Sequence, residues 1–71
     1  MKEKIEILFI PQLKHFIKRD NISQNQLAKE IGVESSTVSK WITGRSEPTI
    51  ENLWRLADYF EISVDTLIGR D

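Results

Sequence analysis

Apolar residues recur every three or four positions in four stretches of this sequence, and each stretch lies between residues that commonly start or end a helix. A spacing of i, i+3 and i+4 places side chains on one face of an α-helix, because the helix advances about 100° per residue. A chain of 71 residues has room for one core. We therefore expect an all-α fold in which short helices share that core and residues 1–71 form a single domain.

The pattern predicts five helices, of which the last is very short. They cover Pro11–Arg19, Gln24–Ile31, Ser35–Thr43, a fourth helix that Thr49 caps and that carries a stripe from Ile50 to Phe60, and Val64–Ile68. Ser23 and Gln26 have the form of a capping box, in which the hydroxyl accepts a backbone N–H and the amide reaches back. Residues 4–10 fit the alternation of a strand and one face of a helix equally well. Residues 1–9 are therefore an N-terminal extension whose structure the pattern leaves open.

The composition excludes several classes of function. No cysteine is present, which removes disulfides, cysteine zinc sites and thiol nucleophiles, and the single histidine, His15, cannot form a metal site by itself. The sequence contains no catalytic carboxylate pair, nucleophile with a base, or Gly-rich phosphate loop, so we expect no enzyme, cofactor or small-molecule ligand. The longest apolar run, Ile7–Ile10, is far too short to span a membrane, and we expect a soluble cytoplasmic protein.

Charge is distributed unevenly along the chain. The net charge is −1 and the isoelectric point is about 5.8, which argues against coating of nucleic acid by bulk attraction. Residues 1–45 carry eight basic and five acidic side chains, whereas residues 46–71 carry two basic and six acidic ones. This asymmetry indicates one face suited to an anion and another turned away from it.

The second and third predicted helices form a close pair. The small side chain of Ala28 permits close approach of the next helix, and Gly32 supplies the sharp turn between them. On the third helix, Val38 and Trp41 fall on one face and predict its buried side. This combination is typical of a helix-turn-helix.

The opposite face of the third helix carries short hydroxyl side chains and one lysine. Its residues are Ser36, Ser39, Lys40 and Thr43, with Ser35 at the entrance to the helix. No carboxylate lies on this helix, so the face can enter a DNA major groove without repelling it. By itself, such a face is more often an ordinary solvated surface.

The chain also resembles a known family over residues 10–69, nearly its whole length. The resemblance is carried by the run SQNQLAKEIGVESSTVSKWITGRSEPTIENLWRLADYFEISVDTLIG, in which the segment SQxxLA, the Gly32 turn, SKW, Gly44 before a Pro-containing loop and the final SVDTLIG occur together. This run is similar to the phage repressor and Cro-like helix-turn-helix family of bacterial transcription regulators.

The resemblance implies a homodimeric repressor that binds inverted half-sites in double-stranded DNA with its third helix in the major groove. Ser35, Ser36 and Lys40 match the family's base-reading positions, and the outer face of the third helix adds Ser39. Gln24, Thr43 and Arg45 match the family's phosphate contacts, and we assign Ser23 beside Gln24 to the same role. The resemblance also implies a dimer contact in the region Phe60–Ile68, with residues 4–10 as a second candidate. The chain departs from the family where Glu34 stands for the usual Ser or Thr cap, Ser35 for a longer side chain, and Glu61 for a glycine.

Alternative interpretations remain for several features. The acidic isoelectric point and Glu34 favour a protein-interaction module that keeps the fold without binding DNA. Trp54 lies between the buried and solvent faces of the fourth helix. It is either a residue at the rim of the core or a dimer contact. The basic residues Lys14, Lys18, Arg19 and Lys29 are assigned as solubilising charges, with a place on a phosphate-facing rim as the alternative. The chain is either a stand-alone regulator or the DNA-binding part of a longer one.

Overall fold

The chain folds into five α-helices, and the computed structural model describes residues 8–70. The helices are α1 (Phe9–Arg19), α2 (Gln24–Ile31), α3 (Ser35–Thr43), α4 (Ile50–Phe60) and α5 (Val64–Ile68). No strand occurs among these residues, so the all-α prediction is confirmed. The predicted bounds of α2, α3 and α5 agree with the structure, and α1 begins earlier than predicted.

Helix α1 starts at Phe9 because a contact with the far end of the chain holds its first turn. The Leu8 N–H donates to the Ile68 carbonyl at 3.0 Å, and Phe9 is buried. Pro11 is then the third helical residue, where its missing N–H removes no helical hydrogen bond. Leu8 and Phe9 therefore belong to the domain and not to an extension. The strand alternative is wrong for residues 9 and 10, and residues 4–7 lie outside the described residues.

Hydroxyl side chains cap three of the helices at their N-termini. Ser23, Thr49 and Ser63 each accept a hydrogen bond from the backbone N–H three residues later, at 3.0 to 3.1 Å. The second half of the predicted capping box is wrong, because the Gln26 amide donates to Glu30 at 3.0 Å and does not reach back to Ser23. Each cap satisfies a backbone donor that the helix itself leaves unpaired and so marks where that helix begins.

Helix α4 ends at a residue with left-handed backbone that is not glycine. Glu61 has φ 60°, and the next N–H, that of Ile62, donates to the Ala57 carbonyl at 2.9 Å. A side chain with a Cβ costs roughly 1 kcal/mol in this conformation relative to glycine. The helix still ends with the backbone hydrogen bond from Ile62 to Ala57 that a glycine at position 61 would allow.

All five helices contribute to one apolar core. Helix α2 packs on α3 and α4, and α1 packs on α3 and α5. The buried residues are Phe9, Leu13, Phe16, Leu27, Ala28, Ile31, Val38, Trp41, Leu56, Ala57, Phe60 and Leu67. Trp41 is only 2% exposed, and this large side chain fixes the rotation of α3 about its own axis.

Arg55 of α4 fastens the turn that joins α2 to α3. Its Nη1 donates to the Ile31 carbonyl at 3.1 Å, and its Nη2 binds the Glu51 carboxylate at 2.7 Å. A Cβ placed on Gly32 would lie 3.5 Å from the same Nη1, so the guanidinium lies directly over the turn. Arg55 therefore links the orientation of the helix pair to α4, a role that we did not assign from the sequence.

Arg19 makes a similar link between α1 and α4 and is more than a solubilising charge. Its Nη2 donates to the Phe60 carbonyl at 3.1 Å, and its guanidinium lies 4.7 Å from the centre of the Phe16 ring. The Arg19 side chain also donates to Asp20 at 2.7 Å, which holds the pKa of the Asp20 carboxyl below its ordinary value. The bond from Arg19 to the Phe60 carbonyl joins the C-terminal end of α1 to the C-terminal end of α4.

Replacing Trp41 with alanine should destabilise the domain by about 3 to 5 kcal/mol, because it removes the largest buried side chain and leaves a cavity. The matched control is Trp54→Ala, which truncates an exposed tryptophan and should change the free energy of unfolding of the monomer by less than about 0.5 kcal/mol. Thermal and urea unfolding, followed by circular dichroism at low protein concentration, measures both. Equal stability of the two variants would contradict the assigned rotation of α3.

Arg55→Met should lower the free energy of unfolding by about 1 kcal/mol, because it removes a hydrogen bond to a helix-terminal carbonyl. Arg45→Met is the control, since Arg45 is an exposed arginine in the loop after α3 and should leave stability nearly unchanged. Urea unfolding without DNA compares the two. The assignment of Arg55 fails if both variants unfold at the same urea concentration.

Candidate nucleic-acid interface

Helices α2 and α3 form a helix-turn-helix with a three-residue turn. At the end of α2 the Gly32 and Val33 N–H groups both donate to the Ala28 carbonyl, at 2.8 and 3.0 Å. Gly32 has φ 89°, which suits glycine and reverses the chain within the turn. Because Ala28 is buried and small, the two helices pack closely, as the sequence predicts.

The surface of α3 divides into a buried side and an exposed side. Val38 and Trp41 lie in the core, and Ile42 is half-buried beside them. The exposed side carries all four predicted base-reading residues, Ser35, Ser36, Ser39 and Lys40. At 100° per residue these four side chains span less than half of the helix circumference, so they share one face. The predicted phase of α3 is confirmed, whereas the role of these residues in base reading stays a prediction.

The α2 side of the interface presents hydrogen-bond donors at the start of a helix. Ser23 is exposed and uses a lone pair of its hydroxyl to accept the Gln26 N–H, which leaves the hydroxyl proton able to point outward. Gln24, the first residue of α2, is also exposed. Donors at a helix N-terminus suit a phosphate, because the helix dipole adds partial positive charge there.

The far end of α3 contributes Thr43 and Arg45. Arg45 is exposed, and its backbone N–H donates to the Lys40 carbonyl at 2.8 Å, which fixes the loop beside the helix end. The Thr43 hydroxyl donates to the Ser39 carbonyl at 3.0 Å within its own helix. A phosphate contact from Thr43 therefore needs this proton to rotate away, whereas Arg45 can make one directly.

Glu34 lies at the entrance to α3 and makes no side-chain cap. Glu34 is exposed and directly precedes Ser35, so its negative charge would repel a phosphate bound at the start of α3. The start of α3 is thus held by backbone bonds only, with the Thr37 N–H donating to the Glu34 carbonyl at 2.9 Å. This residue weakens the electrostatic fit of one corner of the surface.

Two further properties concern residues 8–70 as a whole. No helix in this part of the chain is both long and apolar enough to cross a membrane. Within the same residues, no three His, Asp or Glu side chains come together in a group that could hold a metal ion.

Three side chains that link helices were missed in the sequence, and one of them, Arg55, binds the helix pair itself. Arg55, Arg19 and Gln12 each donate to a main-chain carbonyl of another helix, and the Gln12 Nε2 lies 2.8 Å from the Thr66 oxygen. Long polar side chains also cover ordinary surfaces, so composition does not single them out. Only the spacing of Glu51 and Arg55, four residues apart, is a sequence signal, and it predicts a local ion pair and not the contact with α2.

Comparison with known proteins agrees with this geometry. The helix-turn-helix family matches residues 13–67, most of the chain. The cryptic phage CTXphi transcriptional repressor RstR of Vibrio cholerae is 45% identical over 53 residues, covering 75% of this chain and 47% of RstR. The transcriptional activator BcrR of Enterococcus faecalis is 30% identical over 61 residues, covering 86% of this chain and 30% of BcrR. The chain thus spans half or less of the length of these curated relatives.

A solved structure is similar over most of the chain. The P22 c2 repressor, crystallised in complex with a synthetic operator, superposes with a TM-score of 0.82 at 31% identity, covering 90% of this chain and 97% of that one. A match of this quality includes the helix order as well as the α2–α3 pair. The predicted resemblance to phage repressors is confirmed, and the chain belongs to the helix-turn-helix family of transcription regulators.

Proposed function

We propose that this chain binds double-stranded DNA sequence-specifically and regulates transcription, with α3 in the major groove. The observation that carries the proposal is the face of α3 opposite Trp41, which is exposed, rich in hydroxyls and free of carboxylates. Base edges would be read by Ser35, Ser36, Ser39 and Lys40. Lys40 carries most of the discrimination, because lysine donates well to guanine O6 and N7, whereas serine reaches only a near base or phosphate.

Phosphate contacts on both sides of the groove would set the register of α3. Ser23 and Gln24 would contact phosphates from the start of α2, and Thr43 and Arg45 would do so from the end of α3. These contacts orient the domain and carry no base identity. Because the four base-reading side chains are mostly short, we expect DNA shape to supply part of the specificity.

The DNA-binding species is proposed to be a homodimer on inverted half-sites. One recognition helix covers only a few base pairs, so a second copy is needed to reach useful affinity, with half-site centres about 34 Å apart. The contact region predicted by resemblance, Phe60–Ile68, is only partly available, because Phe60 and Leu67 are buried in the core. Residues 4–7 of the second predicted region lie outside the described residues.

We further propose that residues 1–71 form one DNA-binding domain of a cytoplasmic repressor. Repression is supported by the 45% identity to RstR, which is higher than the 30% identity to the activator BcrR. The proposal applies equally to a stand-alone protein and to a domain of a longer regulator.

A protein-interaction module without DNA binding is the second candidate. The acidic isoelectric point of about 5.8 and the exposed Glu34 favour it. The two candidates separate by salt dependence, because neutralisation of phosphates makes DNA affinity fall steeply as salt rises. Selecting bound sequences from random duplexes and titrating the best duplex at several salt concentrations tests the DNA proposal. Absence of any enriched sequence would favour the interaction module.

Lys40→Ala should weaken binding to the preferred duplex by roughly 1 to 3 kcal/mol and relax preference at one base pair per half-site. Gln24→Ala should weaken preferred and random duplexes alike, since a phosphate contact reads no base. Fluorescence anisotropy with both duplexes measures the effects, and circular dichroism verifies that the variants are folded. If Lys40→Ala lowers the affinity equally for all sequences, Lys40 contacts phosphate and not a base. The assignment of the base-reading face would then be wrong.

The stoichiometry of the DNA complex is a separate prediction. Two chains should bind each duplex that carries two inverted half-sites, because each half-site accepts one α3. Analytical ultracentrifugation of the complex gives its mass. One chain per specific duplex under saturating protein would contradict the homodimer.

A further inference from the structure

Helix α3 begins without the kind of cap that three of the other helices have. Ser23, Thr49 and Ser63 each accept a backbone N–H at the start of their helices, at 3.0 to 3.1 Å. The corresponding residue of α3 is Glu34, whose side chain makes no cap hydrogen bond. Serine, threonine, asparagine and aspartate are the residues preferred at this position. The helix that carries the proposed reading face therefore lacks a local stabilisation that its neighbours have.

The Glu34 carboxylate is also unused elsewhere in the fold. The residue is exposed, and within residues 8–70 its side chain takes part in no hydrogen bond or ion pair. The residues three and four positions later are Thr37 and Val38, so α3 offers it no basic partner at helical spacing. Its charge gains from the helix dipole, but an aspartate would gain as much and would also cap the helix. A residue that breaks a local rule without a structural gain points to function.

The place of Glu34 in the helix-turn-helix is the place where bases are read. It directly precedes Ser35, the first of the proposed base-reading residues. In a helix-turn-helix, the N-terminal residues of the recognition helix contact base edges in the major groove. A glutamate side chain is longer than the serine side chains that follow it, so it can reach a base edge that they do not.

A carboxylate discriminates among base edges because it only accepts hydrogen bonds. In the major groove cytosine presents its N4 amino donor, whereas guanine presents the O6 and N7 acceptors and thymine the O4 acceptor and a methyl group. Adenine presents its N6 donor beside the N7 acceptor, which repels the second oxygen of a carboxylate. Cytosine is therefore the base that best fits a free glutamate at this position.

We propose that Glu34 is a specificity-determining residue that accepts a hydrogen bond from the N4 amino group of a cytosine in each half-site. This inference rests on the proposed function, in which α3 lies in the major groove. On a sequence without that cytosine, the same carboxylate faces base acceptors or phosphates and repels them. Glu34 therefore lowers the affinity for most sequences and lowers it least for those with cytosine at one position.

Glu34 and Lys40 read different base pairs. They are six residues apart, which corresponds to about 9 Å along a helix that rises about 1.5 Å per residue. Neighbouring base pairs are roughly 3.4 Å apart along the duplex. The cytosine bound by Glu34 should lie about two or three base pairs from the pair read by Lys40.

A double-mutant cycle between protein and DNA tests the contact. Selection from a random pool with the wild type and with Glu34→Gln identifies the position at which only the wild type requires cytosine. Replacing that cytosine with thymine puts an acceptor where the donor was, and the wild type should bind the thymine duplex roughly tenfold more weakly. Glu34→Gln should lose most of this difference, because an amide accepts from cytosine and donates to thymine. Fluorescence anisotropy measures the four affinities at one salt concentration.

Asp58→Asn is the matched control for the loss of charge. It removes one negative charge from an exposed side chain in the last turn of α4, outside the helix pair. Because Asp58 takes no part in the proposed contact, this variant should keep the wild-type preference for cytosine over thymine.

Glu34→Ser separates base reading from a structural role. The serine hydroxyl restores a helix cap, so the variant should unfold at a higher urea concentration than the wild type. Its affinity for random duplexes should rise roughly two- to threefold, because a like charge is removed. The ratio of its affinities for the selected and random duplexes should fall roughly tenfold. A more stable domain with lower specificity is a result that a purely structural role of Glu34 would not give.

Several results would overturn the inference. One is selection of the same bases by Glu34→Gln and the wild type, or relaxation at the position read by Lys40. Another is an equal gain in affinity of Glu34→Ser for selected and random duplexes, which would make Glu34 a repulsive charge without base preference. Adenine at the position sensitive to Glu34 would contradict the choice of cytosine. All of these leave the proposed function intact, whereas a wild type that enriches no sequence contradicts both.

Discussion

Burial of Trp41 is the constraint on which the rest of the interface depends. This side chain is 2% exposed and lies on the same side of α3 as Val38, so the rotation of α3 is fixed by the core. Because successive residues turn by 100°, the same rotation carries Ser36 and Lys40 to the outside. The energy that orients the proposed reading face therefore comes from apolar packing on its opposite side. We therefore expect a change in that packing to alter DNA recognition even where no proposed DNA contact is replaced.

Two arginine side chains add links between the ends of neighbouring helices. Arg55 holds the Ile31 carbonyl where α2 ends, and Arg19 holds the Phe60 carbonyl where α4 ends. Each bond joins a charged donor to a carbonyl that its own helix leaves unpaired. In a domain of 71 residues with a small core, such links add order that apolar contacts alone do not supply.

Local signals in the sequence were enough for most of the fold, because three of the five helices start at a hydroxyl cap that acts within three residues. Ser63, for example, accepts the Thr66 N–H and marks the start of α5 as predicted. The wrong predictions involve either a contact between residues far apart in the sequence or a side chain with two possible hydrogen-bond partners. Helix α1 starts earlier than predicted because Leu8 binds Ile68, near the other end of the described chain. The Gln26 amide binds the Glu30 carboxylate and not the backbone of Ser23. The exposed face of α3 followed from periodicity, but the bond from Thr43 to its own helix did not.

The central claim is that the outer face of α3 lies in the DNA groove, and amide chemical-shift mapping tests it most directly. The ¹⁵N-labelled chain is titrated with the duplex selected from a random pool and, as a control, with a duplex of scrambled sequence. The account predicts that the selected duplex produces its largest shifts at residues 35–40 of α3, with smaller shifts at Gln24 that the scrambled duplex reproduces. Tight binding of the selected duplex with α3 amides unmoved, and the shifts confined to α4 and α5, would contradict it.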